Sequence, residues 1–579
     1  MLDSGVIVAR SARPHGRRHR RRRRRRLLTR ALPIAALAAA AFVAGVLLAT
    51  EPGRDERQLV THYVDDWARG RTAAMYALLD SGSRALISEP AFASALHHTA
   101  QIATLAALHA LRIGGLHGRT IMVTMAVDTR LWGDLRERLA VQMTGSGDGA
   151  RVRLTPALLF PGLRARETLH RRILMPPRAT LLASDGTPLA QGPQRTSPIP
   201  DVANQIAGTV GPIPGAERAS YTARGYPANA TVGLDGLELV FQQRLAGRLG
   251  GTLLAGHRVL ASIAPVQAAP VKTTINPALE RAAIAATGGR LAGIVVMNPR
   301  TGALEALAGI AYSALQPPGS TMKIITSTAA LQAGLVKLTT VFPYATSATI
   351  DGFTMQNASG EDCGGTLLNA FAVSCNSVFA PLGVRIGAAR LVATAERYGF
   401  NHPPSIQGAA ESTIPSAATI GDAVAVGSSA IGQGLVQTTP LEMADVAATI
   451  AMGGRRPVPT LLAGQRPRFI RVTSTRIARE IQRMMIAVVQ YGTGTAAQIS
   501  GVQVAGKTGT AELKNTATNP NKPNNPNANN PKDTDAWFVG YAPVGHPRIV
   551  AGALFPNQGG GGQTAAPAVR DVIVSALGG

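Results

Sequence analysis

A serine three residues ahead of a lysine can do acyl chemistry if a helical turn brings the two together. Ser320 and Lys323 stand in Pro317-Pro-Gly-Ser-Thr-Met-Lys323, and Ile324, Ile325, Ala329 and Leu331 supply an apolar helix face directly after them. Positions i and i+3 share one face, so the opening turn of that helix sets the amine beside the hydroxyl. A serine hydroxyl alone holds its proton far above neutral pH. A lysine partly stripped of water gives up its charge more readily and can accept that proton. Only seven of the 58 basic residues are Lys, at 272, 323, 337, 507, 514, 522 and 532. A second lysine of interest, Lys507, lies in Ala505-Gly-Lys-Thr-Gly-Thr-Ala-Glu512, directly after the alternating strand-like stretch at residues 501–504. Gly509 there would let a substrate backbone come close. Between the two lies Ser374-Cys375-Asn376. Singly these signals are weak, since Ser-x-x-Lys arises by chance, Ser-x-Asn is commonly a turn, and a strand lysine commonly faces water. Together they run in a fixed order, with gaps of 54 and 133 residues between their first positions.

The elements that must hold these residues follow from residue 272 onward. The run at residues 293–297 reads as a buried strand, with a turn at 298–302 and a hairpin partner at 304–308. Helical segments fill the middle. Residues 501–504, 537–541 and 549–554 read as strands and 571–577 as a terminal helix. The stretch at 515–532 holds eight Asn and four Pro, cannot bury a core, and is expected to be a mobile surface loop. Upstream, residues 55–157 mix helical spacing (Leu59, Tyr63, Trp67) with strand-like runs at 121–127 and 139–143, a small α+β domain. Residues 158–271 alternate short strands with Pro and Gly and carry no catalytic constellation.

Length and charge set the frame. At roughly 100–200 residues per domain, 579 residues suggest three or four domains. The net charge of +25 invites a nucleic-acid reading. Yet residues 1–30 hold twelve Arg and one acid, and the uncharged run at 31–49 follows directly. Nineteen helical residues span roughly 28 Å, about one hydrocarbon core. The positive-inside rule then places the Arg-rich tail in the cytoplasm and everything after Glu51 outside, with no nucleic acid as partner. Cys363 and Cys375, the only cysteines, are either a disulfide or two buried thiols.

Taken together, Ser320-x-x-Lys323, Ser374-x-Asn376 and Lys507-Thr508-Gly509 resemble the motif set of penicillin-recognising serine acyl-transferases. Ile431-Gly-Gln-Gly434, Thr439-Pro-Leu-Glu-Met-Ala444 and Asp535-Ala-Trp-Phe-Val-Gly-Tyr-Ala-Pro543 are similar to segments of penicillin-binding protein transpeptidase domains. Residues 173–189 and Gly236-Leu-Glu238 resemble the pedestal, or dimerisation, domain of class B members. The stretch at 156–163 resembles the exit of the first extracytoplasmic domain in low-affinity, methicillin-resistance-type members.

The resemblance implies a multidomain α+β fold. It has a cytoplasmic tail (1–30), a single transmembrane helix (31–49), and a cone-shaped domain like nuclear transport factor 2 (55–157). An extended β-rich pedestal (158–271) follows, and then a transpeptidase domain of antiparallel sheet flanked by helices (272–579). It implies a cell-membrane D,D-transpeptidase that cross-links D-Ala-D-Ala stem peptides of peptidoglycan and is blocked by β-lactams. No cofactor or metal is implied, and a membrane-embedded peptidoglycan glycosyltransferase is the implied partner. Ser320 would be the nucleophile and Lys323 its base. Ser374 would relay a proton, Asn376 would hold the peptide, and Lys507 would bias Lys323 and attract the carboxylate. Thr508, Gly509 and Thr510 would line the substrate, with the backbone N–H groups of Ser320 and Thr510 as oxyanion hole. One departure is the short stretch of residues 309–319 between the hairpin and the nucleophile, which implies a more open rim.

Other readings fare less well. Residues 55–160 are too few for a glycosyltransferase, so a bifunctional class A enzyme is excluded. A secreted β-lactamase would need neither anchor nor pedestal. Only His402 and His546 lie beyond residue 257, which disfavours a Ser-His-Asp hydrolase. A D,D-carboxypeptidase, or a β-lactam sensor or scaffold without cross-linking activity, stays open.

Overall fold

The computed structural model describes residues 36–42, 53–513 and 531–578. It divides into two compact units. The first comprises residues up to 173 with short returns at 222–226 and 251–264, and the second holds the remainder.

In the first unit, the helix Arg54–Ala68 buries Val60, Tyr63, Val64 and Trp67, the i, i+3, i+4, i+7 stripe of an amphipathic helix. Asp55 and Glu56 in its first turn offset the positive end of the helix dipole. The helix Glu89–Ala103 is capped by Ser88, whose hydroxyl accepts the Ala91 N–H. The strands Leu105–His117, Thr120–Thr129, Gly133–Thr144 and Arg151–Arg153 form an antiparallel meander. Ile121, Val123, Met125 and Val127 alternate onto its core face, and Ile121 faces Val141 across the ladder. The strands are longer than the runs legible in the sequence, because polar residues occupy their solvent face.

The second unit begins with short strands and helices. Glu238, fully buried, lies between two guanidiniums, 2.5 Å from Arg178 and 2.6 Å from Arg195.

The larger part of this unit is built on a five-stranded antiparallel sheet. Its order is Ala303–Gly309, Gly293–Asn298, Ile549–Phe555, Thr534–Ala542, Ala505–Glu512. Side chains alternate between two separate cores. Ile294 and Val296 pack with Leu279, Ala283, Val569, Val572 and Ile573 from the helices Pro277–Thr287 and Ala565–Leu577. Val295 and Met297 belong to the other core, with Met443 and Val446 of the helix Pro440–Ala451 and Ile324 and Ile325 of the helix Lys323–Gln332. Both faces are covered, which is why these strands read as unbroken apolar runs.

Three local expectations need correction. The α-helix at the nucleophile starts at Lys323, so Ser320 lies ahead of it and not on its opening turn. Gly319 adopts φ 52°, and residues Gly319–Met322 tighten into a 3₁₀ turn before it. Residues 501–504 form a turn around Gly501 (φ 73°), closed by an Ile499–Val502 bridge, and the strand starts at Ala505. The terminal helix starts earlier than expected, at Ala565.

The expected membrane anchor and Arg-rich tail lie outside the described residues except for the helical stretch at 36–42. No single described helix is long and apolar enough to cross a membrane. The pair Asn376–Ile386 and Ala388–Tyr398 passes by composition, but it is bent by 101° and buries Phe379, Leu382, Leu391 and Tyr398 in the core.

Glu280, on the helix Pro277–Thr287, is also fully buried. One carboxyl oxygen accepts the Leu307 N–H at 2.8 Å, and the other has no partner among the described residues. Burial pushes its pKa up to about 7. A carboxyl raised above its unfolded value stabilises the fold fully below that value, and this contribution is lost as pH rises through about 7. Glu280→Gln should therefore gain about 1–3 kcal/mol over the parent at alkaline pH and almost nothing at acid pH. Denaturant melts at the two pH values check this; an equal gain at both contradicts it.

Candidate active site

The fold brings Ser320, Lys323, Ser374, Asn376 and Lys507 into one continuous polar chain. Lys323 is fully buried on the first turn of its helix, and its Nζ lies 2.9 Å from Ser320 Oγ. The same Nζ donates to the Ser374 carbonyl at 2.7 Å and to Asn376 Oδ1 at 2.7 Å, with Ser374 Oγ at 3.3 Å. The Asn376 amide orientation is settled by its other end, since Nδ2 donates to the Gln356 carbonyl at 2.9 Å. Lys507 Nζ lies 2.9 Å from Ser374 Oγ and donates to the Thr508 carbonyl at 3.0 Å. The Ser374 hydroxyl therefore sits between two amines.

This geometry suits an uncharged Lys323. A neutral amine has two N–H bonds and one lone pair. The Ser374 carbonyl and Asn376 Oδ1 can only accept, so they take the two N–H bonds. The lone pair is left for the Ser320 hydroxyl. Burial lowers the Lys323 pKa well below that of a free lysine, and the nearby Lys507 charge lowers it further. Burial also lowers Lys507, to about 7.

Local backbone makes this possible. Ser374 adopts φ 66°, a left-handed conformation that a serine rarely takes, between the helices Leu367–Ala372 and Asn376–Ile386. The Cys375 N–H donates to the Ala370 carbonyl at 2.9 Å. Cys375 is joined to Cys363 by a disulfide, with Cα atoms 5.8 Å apart, so of the two readings of the cysteines the structure has the bridge. The turn is thus tied down immediately beside both of its functional side chains.

Two aromatic residues escaped the sequence reading. The Phe379 ring centroid lies 5.5 Å from Lys323 Nζ, and that of Phe371 lies 5.5 Å from Lys507 Nζ. The two rings meet edge to face at 6.0 Å. They form the dry wall that withholds water from both amines. Their signal was the spacing: Phe371 stands three residues before Ser374 and Phe379 three after Asn376.

Lys507, Thr508, Gly509 and Thr510 lie on Ala505–Glu512, the edge strand of the sheet. Thr508 is buried and Thr510 half-buried. Thr510 Oγ1 accepts the Gly561 N–H at 3.3 Å. A Cβ on Gly319 would meet the Thr510 carbonyl at 2.7 Å, so the nucleophile turn and the strand touch backbone to backbone. Gly509 is needed for that approach rather than for an open substrate face. A Cβ there would meet the Pro318 carbonyl at 2.7 Å, Trp537 Cβ at 2.9 Å and Thr321 Cγ2 at 3.0 Å.

An antiparallel sheet with helices on both faces, and a Ser-Lys pair set against its edge strand beside a Ser-x-Asn turn, defines the class. Residues 292–574 match the penicillin binding protein transpeptidase domain, and residues 176–258 match the penicillin-binding protein dimerisation domain. The dimerisation-domain match precedes the transpeptidase-domain match along the chain. Its relatives include the peptidoglycan D,D-transpeptidase PbpA of Mycolicibacterium smegmatis, 35% identical over 294 residues that cover 46% of this chain and 56% of that protein. The match thus spans little more than half the length of that relative. Among solved structures, the penicillin G acyl-enzyme complex of penicillin-binding protein A from M. tuberculosis is 27% identical with a TM-score of 0.53, covering 69% of this chain and 99% of that one. The D,D-transpeptidase domain of a peptidoglycan glycosyltransferase from Eggerthella lenta is 28% identical with a TM-score of 0.54, covering 69% and 98%.

Because three fixed groups surround the Gly509 α-carbon, Gly509→Ala should overpack the site. A loss of about 1–3 kcal/mol is expected. Thermal melts check it; an unchanged midpoint contradicts the crowding.

Proposed function

We propose that this protein is a serine D,D-transpeptidase that cross-links peptidoglycan stem peptides ending in D-Ala-D-Ala. The observation that carries the reading is the buried Lys323 amine, 2.9 Å from Ser320 Oγ and held by the Ser374 carbonyl and Asn376 Oδ1, both at 2.7 Å. Lys323 takes the Ser320 proton as Oγ attacks the carbonyl of the penultimate D-Ala. The backbone N–H groups of Ser320 and Thr510 hold the developing oxyanion. Ser374, in contact with both lysines, passes a proton to the leaving D-Ala amine. Asn376 orients Lys323 and the peptide amide. Lys507 and the hydroxyls of Thr508 and Thr510 hold the terminal carboxylate, and the donor lies along the 505–512 strand. An amine of a neighbouring stem then attacks the acyl-enzyme, forms the cross-link and frees Ser320. A β-lactam acylates Ser320 and stays.

The domain plan belongs to the same proposal. It comprises a cytoplasmic tail (1–30), one membrane anchor (31–49), a domain like nuclear transport factor 2 (55–157), a pedestal (158–271) and the catalytic domain (272–579), all outside the membrane beyond the anchor. The helices packed on one antiparallel meander in the first unit support the reading of residues 55–157. Kinship with methicillin-resistance-type members is part of the proposal. A membrane-embedded glycosyltransferase that supplies the glycan strands is the proposed partner.

Two measurements test the reading. A fluorescent penicillin should label the wild-type chain covalently, and Ser320→Ala should abolish the label; a mutant that still labels removes Ser320 as nucleophile. The acylation rate should also depend on pH in two directions. It rises as Lys323, titrating below a free lysine, loses its proton and becomes a base. It falls above about 7, where Lys507 loses the charge that attracts the carboxylate. Lys507→Arg keeps that charge and should move the falling limb to higher pH; a limb that stays in place contradicts the role.

A further inference from the structure

Beside the Lys507 strand, a third hydroxyl meets that of Thr508, one of the two that the proposed mechanism uses. Thr493 follows the helix Thr475–Gln490, and its Oγ1 lies 2.5 Å from Thr508 Oγ1. Its backbone is held on both sides. The Thr493 N–H donates to the Ala372 carbonyl at 3.1 Å, at the end of the helix that leads into Ser374. A Cβ on Gly562 would meet the Thr493 carbonyl at 2.3 Å, so the 559–562 glycine loop presses against it from the other side. Thr493 thus ties the Ser374 turn to the Lys507 strand, yet its own side chain is open to solvent.

We propose that Thr493 is a positioning residue that turns the Thr508 hydroxyl proton toward the terminal carboxylate of the substrate. The inference rests on the transpeptidase reading and adds a residue to it. Each hydroxyl has one proton to give. In one arrangement Thr508 donates to Thr493, and Thr493 donates to the Ala372 carbonyl. In the other, Thr493 donates to Thr508, and the Thr508 proton is left to point elsewhere. The Ala372 carbonyl lies 3.4 Å from Thr493 Oγ1, long for a hydroxyl bond, and it already receives the Thr493 N–H. The second arrangement leaves that weak contact unused, and it is the only one a carboxylate can use, because an ionised carboxylate accepts and cannot donate. A donated proton on Thr508 Oγ1 polarises its own O–H and strengthens the bond to an anion. Thr510 is prepared in the same sense, since it accepts the Gly561 N–H and keeps its own proton free.

The test compares the full chain with Thr493→Val, which keeps the shape and removes the hydroxyl, and with Thr493→Ser, which keeps the hydroxyl. The probes are benzylpenicillin and its neutral methyl ester, and the readout is the second-order rate of Ser320 acylation by intact-protein mass spectrometry. Thr493→Val should slow benzylpenicillin roughly tenfold and the ester by less than about twofold, and Thr493→Ser should recover the parent rate. A merely structural role slows both probes alike, and that result overturns the inference, as does Thr493→Val with no effect on either. If the parent favours benzylpenicillin no more than the ester, no carboxylate is recognised and the inference falls alone. If the parent reacts with neither probe, the transpeptidase reading falls and takes the inference with it.

Discussion

A lysine amine sealed from water and gripped by two oxygens that can only accept is the arrangement on which the rest of the site depends. Buried charge is costly, and an amine in such a place sheds its proton. The cost is turned to use because the amine faces Ser320 at 2.9 Å. Move the Ser374 carbonyl or Asn376 Oδ1 and nothing is left to point Lys323 at the serine. The left-handed Ser374, the Cys363–Cys375 bridge and the Asn376–Gln356 bond all hold those two acceptors in place.

The second lysine shows how the same physics is graded. Lys507 is also buried beside an aromatic ring, but its pKa falls only to about 7. Lys323 is lowered by burial and additionally by the charge of Lys507. Two amines that share the Ser374 hydroxyl are therefore both lowered, and burial is the first cause in each.

The sheet supplies the rigidity that these distances need. Alternate residues of each central strand enter two different cores, so no strand can shift register without exchanging both. The Lys507 strand lies at the edge, paired with Thr534–Ala542, and the backbone of the nucleophile turn packs against it at Gly509 and Thr510. Gly319 and Gly509 permit that contact, and glycine is dictated there by crowding as much as by conformation.

The residue types and their order were legible before any coordinates: Ser320 with Lys323 on one turn, Ser374 with Asn376, Lys507 with its two threonines, and the apolar runs of a sheet covered on both faces. Local rules reach that far because a helix repeats every 3.6 residues and a strand every two. They did not place Phe371 and Phe379, choose between a disulfide and two thiols, or set the helix start at Lys323. Those depend on groups far apart in the chain. The opening turn tightens because Gly319 must pass the Thr510 backbone, nearly two hundred residues away. Sequence by itself determined which chemistry was available. Tertiary structure alone decided that Lys323 is dry and its pKa lowered, because desolvation is a property of everything packed around a group and of nothing in its own neighbourhood along the chain.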